Sequence, residues 1–299
     1  MLMAFAMVLL FISAVLCVAS LLVLALLFHR KSLPRHWNDS PVMAILFMVT
    51  LLTSVVYLIF SIQWILVSFG KIHNDPSSTV FLLLPGLALV TTRTLYDAAH
   101  IGVYVQRICY LKFPTRSTDS MNRIVIGGVF GIAVPAMAAL VYFHLITMPQ
   151  SEDPVPEGCY SFNCIVSTGK SRRLSTVIIK LIFTAVVILC GATFLVMLRK
   201  FKISRKSITE TRINQFAGYT FCLRLVFEML PFVADFILQQ TIQKDLGKFI
   251  GPYGAIGGSI DFFACTAVYY FLSFKRRSSV TLVKSLETHT QHNVPGIYR

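Results

Sequence analysis

The 299-residue chain is 56% hydrophobic and only 13% charged, with a mean hydropathy of +0.71. Soluble domains carry about a quarter charged residues, so this composition excludes a soluble enzyme and a disordered chain, and seven Cys are too few for a disulfide-stapled scaffold. A net charge of +14 raises nucleic acid as a partner, a question decided by where the charges sit.

A membrane-spanning helix needs about 20 mostly apolar residues. Seven stretches qualify, at about 1–28, 41–69, 80–109, 123–148, 174–198, 213–240 and 250–274. Short polar breaks rich in turn formers separate them, such as Asn74 to Ser78 and Asp153 to Glu157. The expected fold is all-α: a polytopic membrane protein, with a seven-transmembrane helix bundle over 1–274 and a tail over 275–299. No internal repeat and no second domain is evident. The first stretch has no basic residue before its core and is far longer than the 7–15 residues of a signal-peptide core. It reads as an uncleaved first helix.

With seven spans, breaks one, three and five share a side with the tail. That side carries Arg30, Lys31 and Arg35; Arg107, Lys112, Arg116 and Arg123; Arg199, Lys200, Lys202, Arg205, Lys206 and Arg212; and Lys275, Arg276, Arg277, Lys284 and Arg299. The other side carries only Lys71, Lys170, Arg172, Arg173, Lys244 and Lys248. The positive-inside rule therefore places the N-terminus outside and the C-terminus inside. The lipid bilayer accounts for the basic excess, and no nucleic-acid partner is expected. The sequon at Asn38, Asp39 and Ser40 falls on the inner side and precedes Pro41, so it is expected to stay unglycosylated.

Ionisable groups at mid-membrane cost about 2.5–3.5 kcal/mol each and are functional candidates by default. The third span holds Arg93, Asp97, His100, Tyr104 and Arg107 on one helical stripe. Arg93 and Asp97 stand at i,i+4 and are expected to pair. The stripe is either a structural ion pair that orients the helix or, in its outer part, the lining of a ligand cavity. The sixth span repeats the pattern with Arg224, Glu228, Pro231 and Asp235. Arg224 and Glu228 are expected to form an intramembrane ion pair, and Pro231 to kink the helix. Lys180 in the fifth span could reach Asp235 but is expected to snorkel to the surface. Asp261 in the seventh span sits among Gly251, Gly254, Gly257 and Gly258, where small residues permit close helix approach. The candidate ligand-binding residues are Arg93, Asp97, His100, Asp235 and Asp261. Asp97 and His100 lack a nucleophile at useful spacing, and neither a phosphate loop nor a His pair occurs in the spans. The chain is therefore expected not to be an enzyme and to need no cofactor or metal.

The end of the third span carries a resemblance. Gln106, Arg107 and Ile108, with Pro114 seven residues after the Arg, resemble the Asp/Glu-Arg-Tyr region of G-protein-coupled receptors. The Arg-to-Pro spacing matches, whereas the acid beside the Arg is missing. Pro231 looks like the kink proline of the sixth receptor helix. Tyr269 stands where the Tyr of Asn-Pro-x-x-Tyr would, and Phe274 to Arg277 looks like the start of a short juxtamembrane turn on anionic lipid. Other landmarks are lost: the second span has no acid, the fourth no Trp, the fifth no Pro, and the third begins without a Cys. Cys159 and Cys164 lie in one outer loop, on the oxidising side, where a local disulfide can form; the other five Cys read as packing residues.

The combination resembles the nematode serpentine chemoreceptors, with the Srbc class nearest. The resemblance implies a chemosensory receptor in the plasma membrane, that of a sensory cilium. It would bind a small-molecule ligand in the outer half of the bundle and activate a heterotrimeric G protein. Arg107, Pro114, Pro231 and Tyr269 would form the coupling switch, and Ser278, Ser279, Thr281 and Ser285 would be regulatory phosphosites. Two other readings stay open. A solute or proton transporter suits intramembrane charges, although no repeat is seen. An odorant-gated channel also has seven spans but with its N-terminus inside, against the Lys/Arg distribution.

Overall fold

The computed structural model describes residues 2–71, 76–113, 118–146, 170–201, 208–242 and 253–291. Pro114, Cys159 and Cys164 lie outside these residues, as do the tail side chains from Phe274 onward. Every regular element among the described residues is a helix. In chain order these are α1 (Leu2–Arg30), α2 (Leu33–Asp39), α3 (Pro41–Ser68), α4 (Pro76–Lys112), α5 (Thr118–Ile146), α6 (Lys170–Lys200) and α7 (Ile208–Arg224). A π-turn (Leu225–Met229) then leads into α8 (Leu230–Ile242), and α9 (Tyr253–Gln291) closes the order.

Each of the seven apolar stretches coincides with one long helix or, for the sixth, with the run α7–π-turn–α8. Five helices are long and apolar enough to cross a membrane: α1, α3, α5, α6 and the first half of α9. This makes the chain a helical multi-pass membrane protein. The other two stretches, α4 and α7 to α8, carry most of the intramembrane charge. The tail departs from the short turn expected after Phe274, because α9 continues as helix to Gln291.

Local chemistry sets several boundaries. Pro34 and Pro41 each stand in a first helical turn, where no N–H is needed. At the end of α3 the Gly70 N–H bonds the Val67 carbonyl, and the Lys71 N–H bonds the Leu66 carbonyl at 3.1 Å. Gly70 adopts φ +67° to close this cap, a conformation that side chains resist.

The outward faces are apolar, including Phe11, Leu22, Ile59, Ile132 and Leu189. The interior carries many small polar residues. Ser20 meets Ser54 and Ser61 meets Ser13, both at 3.4 Å, while Ser13 donates to the Ala255 carbonyl at 3.3 Å. These contacts join α1, α3 and α9 where lipid offers no hydrophobic drive. α4 is the hub, packing on α3, α5 and α6 and touching α7.

Close approach concentrates where the broken sixth segment meets α9. Pro231 has no N–H for the Phe227 carbonyl four residues earlier. The backbone widens into the π-turn, and the Leu230 N–H bonds the Leu225 carbonyl instead. A Cβ on Gly257 would stand 2.5 Å from the Phe227 carbonyl oxygen, and one on Gly258 would stand 2.6 Å from the Tyr57 hydroxyl. Gly127 and Gly128 on α5, by contrast, have open space around the Cβ position.

Gly257→Ala is accordingly expected to destabilise the protein by about 1–3 kcal/mol, the usual cost of overpacking. Gly127→Ala is expected to be neutral or stabilising by up to ~1 kcal/mol through helix propensity. Thermal unfolding of the two variants in the same detergent checks this contrast; equal behaviour contradicts it.

Candidate functional site

Of the 27 Lys and Arg, three fall inside the expected spans away from their ends: Arg93, Lys180 and Arg224. The fold brings all three to one place. Arg224, at the end of α7, is fully buried. Its Nη2 reaches Asp97 of α4 and, at 3.1 Å, Glu228 Oε2 in the π-turn; its Nε lies 3.1 Å from Asp261 Oδ2 of α9. The guanidinium also lies over the Tyr96 ring, 4.9 Å from its centroid. Glu228 turns its second oxygen to Arg93, with Oε1 2.6 Å from Nη2 and 3.0 Å from Nε. Arg93 donates its remaining Nη1 to the Tyr57 hydroxyl and, at 3.2 Å, to the Gly254 carbonyl.

This corrects the expected pairing within α4. Arg93 pairs with Glu228, and Asp97 with Arg224, so the charges bind across helices. The polar stripe of α4 faces α7 and the π-turn, and an ion that must leave water gains more from a partner that also closes a helix interface. The expected Arg224–Glu228 spacing is present as one edge of this larger cluster. Two guanidiniums face three carboxyl groups.

A cavity of about 120 Å³ adjoins the cluster, room for about four waters. Its polar lining is Tyr57, Arg93, Thr94, Asp97, Thr176 and Lys180, and the rest is apolar. Lys180 does not snorkel outward. Its ammonium lies 4.1 Å from the Phe232 ring centroid, beside the cavity it lines. The acidic groups near it, Glu228, Asp97 and Asp235, give that inward turn its physical reason.

The other ligand candidates take different places. His100 is fully buried between Tyr96 and Tyr104, with ring centroids 4.6 and 6.0 Å away, and does not line the cavity. Asp261 is held by Arg224 behind the cavity, and Asp235 is buried on α8 away from the lining. Sequence reasoning missed Tyr57, whose hydroxyl anchors Arg93, and placed Lys180 at the surface. The three intramembrane cations were themselves the available signal, since each needs an interior partner.

At the other end of the bundle Arg107 is buried. Its Nη2 donates at 2.9 Å to Gln106 Oε1, and its guanidinium lies 4.8 Å from the Tyr110 ring centroid. Gln106 also accepts from Ser40 at 3.2 Å and donates to Asn122 at 2.6 Å, while Tyr110 donates to Asn122 at 2.8 Å. The side-chain amide thus supplies the acceptor that an acid beside Arg107 would have given. Tyr269 sits in an aromatic group with Phe47, Phe216 and His36, at 4.6, 5.5 and 5.9 Å between centroids. Pro231 lies just beyond the π-turn.

Comparison of the chain with protein-family models and with curated proteins finds no match.

Two expectations follow. Double-mutant cycles should give a coupling of about 0.5–3 kcal/mol for Arg224 with Asp97, and a smaller one for Arg93 with Asp97; the reverse order in thermal unfolding contradicts cross-helix pairing. The second concerns pH. Burial and the Lys31 ammonium push His36 down to about 4 from 6.5, with Asp39 opposing them. The unfolded chain therefore binds the proton first as pH falls. The stability that neutral His36 supplies is complete above about pH 6.5 and is lost progressively toward pH 4. His36→Phe should flatten that part of the curve of Tm against pH, and an unchanged slope contradicts the assignment.

Proposed function

We propose that the chain is a seven-pass receptor, N-terminus outside and C-terminus inside, which binds a small molecule in the cavity and activates a heterotrimeric G protein. The observation that carries this reading is the contact between cavity and charge cluster. Arg93 and Asp97 line the cavity and also hold Glu228, within the π-turn that breaks the sixth segment, and Arg224, just before it. A ligand that competes for either side chain changes the relative stability of the clamped and released arrangements. Only such differential affinity shifts a conformational equilibrium.

The second support is position. The cavity lies near the start of α6 and α9, whereas Arg107 and its hydrogen-bonded partners lie at the end where α4 finishes. A ligand site at one end and a buried Arg within a short polar network at the other suit transmission across a bilayer. The Lys/Arg distribution supports an inner position for the Arg107 end. The resemblance to nematode serpentine chemoreceptors, the Srbc class nearest, adds the sensory role and the plasma or ciliary membrane. The amphipathic lining favours a ligand with a polar or charged group on an apolar body.

The three buried carboxyl groups beside the cavity favour one second reading, a proton-coupled transporter. The test separates them. Wild-type protein and Arg107→Ala are expressed with G proteins, and a library of small polar and amphipathic compounds is screened for guanine-nucleotide exchange. The receptor reading expects at least one compound to drive exchange with wild type and none with Arg107→Ala at equal surface expression. Equal exchange in both removes Arg107 from coupling. Compound-driven proton or solute flux without exchange overturns the receptor in favour of a transporter or a gated channel.

A further inference from the structure

A second cavity, of about 210 Å³, lies at the Arg107 end of the bundle and is separate from the charge cluster. It is formed by the end of α1, by α2, by the start of α7 and by α9. Four of its lining residues are cations: Arg30, Lys31, Arg35 and Arg212. Its single acid, Asp39, is taken up by an ion pair with Lys31. Cations from three separate elements therefore converge on one hollow whose lining holds a single acid.

The floor of the hollow supplies an independent sign of a missing partner. His36 lines the cavity and is 3% exposed, and its Nε2 has no hydrogen-bond partner among the described residues. Arg212 Nε is likewise buried without one. Buried polar atoms are nearly always satisfied by protein, water or a bound group. A hollow lined by guanidiniums and an imidazole calls for a compact anion with several acceptor oxygens, and Arg pairs bidentately with phosphate.

We infer that this cavity is a binding site for a phosphate group, supplied by the headgroup of a phosphoinositide lipid or by a free phosphate compound. Basic pockets between membrane helices take such headgroups. The phosphate would join Arg212 at the start of α7 to Arg35 on α2, and so hold the inner end of the sixth segment against α1 and α9. The recognition chemistry does not depend on the receptor reading. Only the availability of an inner-leaflet lipid rests on the proposed orientation, and nanodiscs, which present both leaflets alike, remove that dependence.

The test uses full-length protein in nanodiscs of phosphatidylcholine, with or without phosphatidylinositol bisphosphate, and with inorganic phosphate or soluble inositol trisphosphate added to the lipid-free-of-phosphoinositide discs. The readouts are Tm and native mass spectrometry of the wild-type protein, so the result does not depend on any variant folding. A rise in Tm with retained lipid only in the phosphoinositide discs assigns a lipid headgroup. A rise with the soluble phosphates as well assigns a free phosphate site. Arg35→Gln and Arg212→Gln should each weaken binding at least about tenfold, the value of one charge-assisted hydrogen bond, and Arg35→Lys should recover part of the loss. Arg199→Gln, on the inner end of α6 outside the cavity, should bind as wild type. No rise with any phosphate, or an equal loss in Arg199→Gln, overturns the site.

Discussion

A guanidinium with no exposed surface stays charged inside a helix bundle only when acceptors surround it. Arg224 is in that position, and carboxyl groups from three elements surround it: Asp97 from α4, Glu228 from the π-turn and Asp261 from α9. The bundle must bring those three together or leave a buried charge unpaired, at about 3–5 kcal/mol for each broken pair. Glu228 then extends the arrangement to Arg93, which holds Tyr57 of α3. Two guanidiniums joined through Glu228 thus tie α3, α4, α7 and α9. Replacing buried ion pairs with apolar residues is often neutral or stabilising, so the cluster's contribution lies in fixing which helices meet rather than in net stability.

The same constraint explains the irregular backbone beside it. Pro231 deprives the Phe227 carbonyl of its donor, the π-turn re-routes the next hydrogen bond, and Gly257 lets α9 approach that carbonyl closely. A regular helix would turn Glu228 to another angle relative to Arg224. The widened turn aims one carboxylate at two guanidiniums. A hinge-prone segment, a charge clamp and a cavity therefore share a few residues. Mechanically, this is where a small ligand has most leverage on the position of α7.

Much of the fold was legible because lipid imposes simple rules. Seven apolar stretches matched helical segments, and the polar stripe of α4 and the Arg224–Glu228 spacing followed from helical geometry. Partner choice was not legible. The i,i+4 rule matched Arg93 with Asp97, whereas low dielectric rewards partners across an interface, which only the packing reveals. Lys180 looked like a snorkelling residue because the acids near it come from α4, the π-turn and α8, which only packing brings together. Pro231 announced a disturbance, but not that it would take the form of a π-turn with Gly257 packed against the Phe227 carbonyl. The hydrogen bonds of Gln106 to Ser40 and Asn122 join three segments distant in sequence, so no local pattern contained them. The run of α9 past Phe274 was missed because its charged residues read as a helix end.

The central claim is that the cross-helix clamp on Arg224 fixes α7 relative to α4. It is tested most directly by electron–electron resonance between spin labels at two exposed sites, Phe113 after α4 and Tyr219 on α7, in a background free of native cysteines. Asp97→Asn keeps the side-chain shape and removes the charge that pairs with Arg224. A longer or broader distance distribution in Asp97→Asn than in the labelled parent is the predicted result. Superimposable distributions in a folded variant would contradict the clamp.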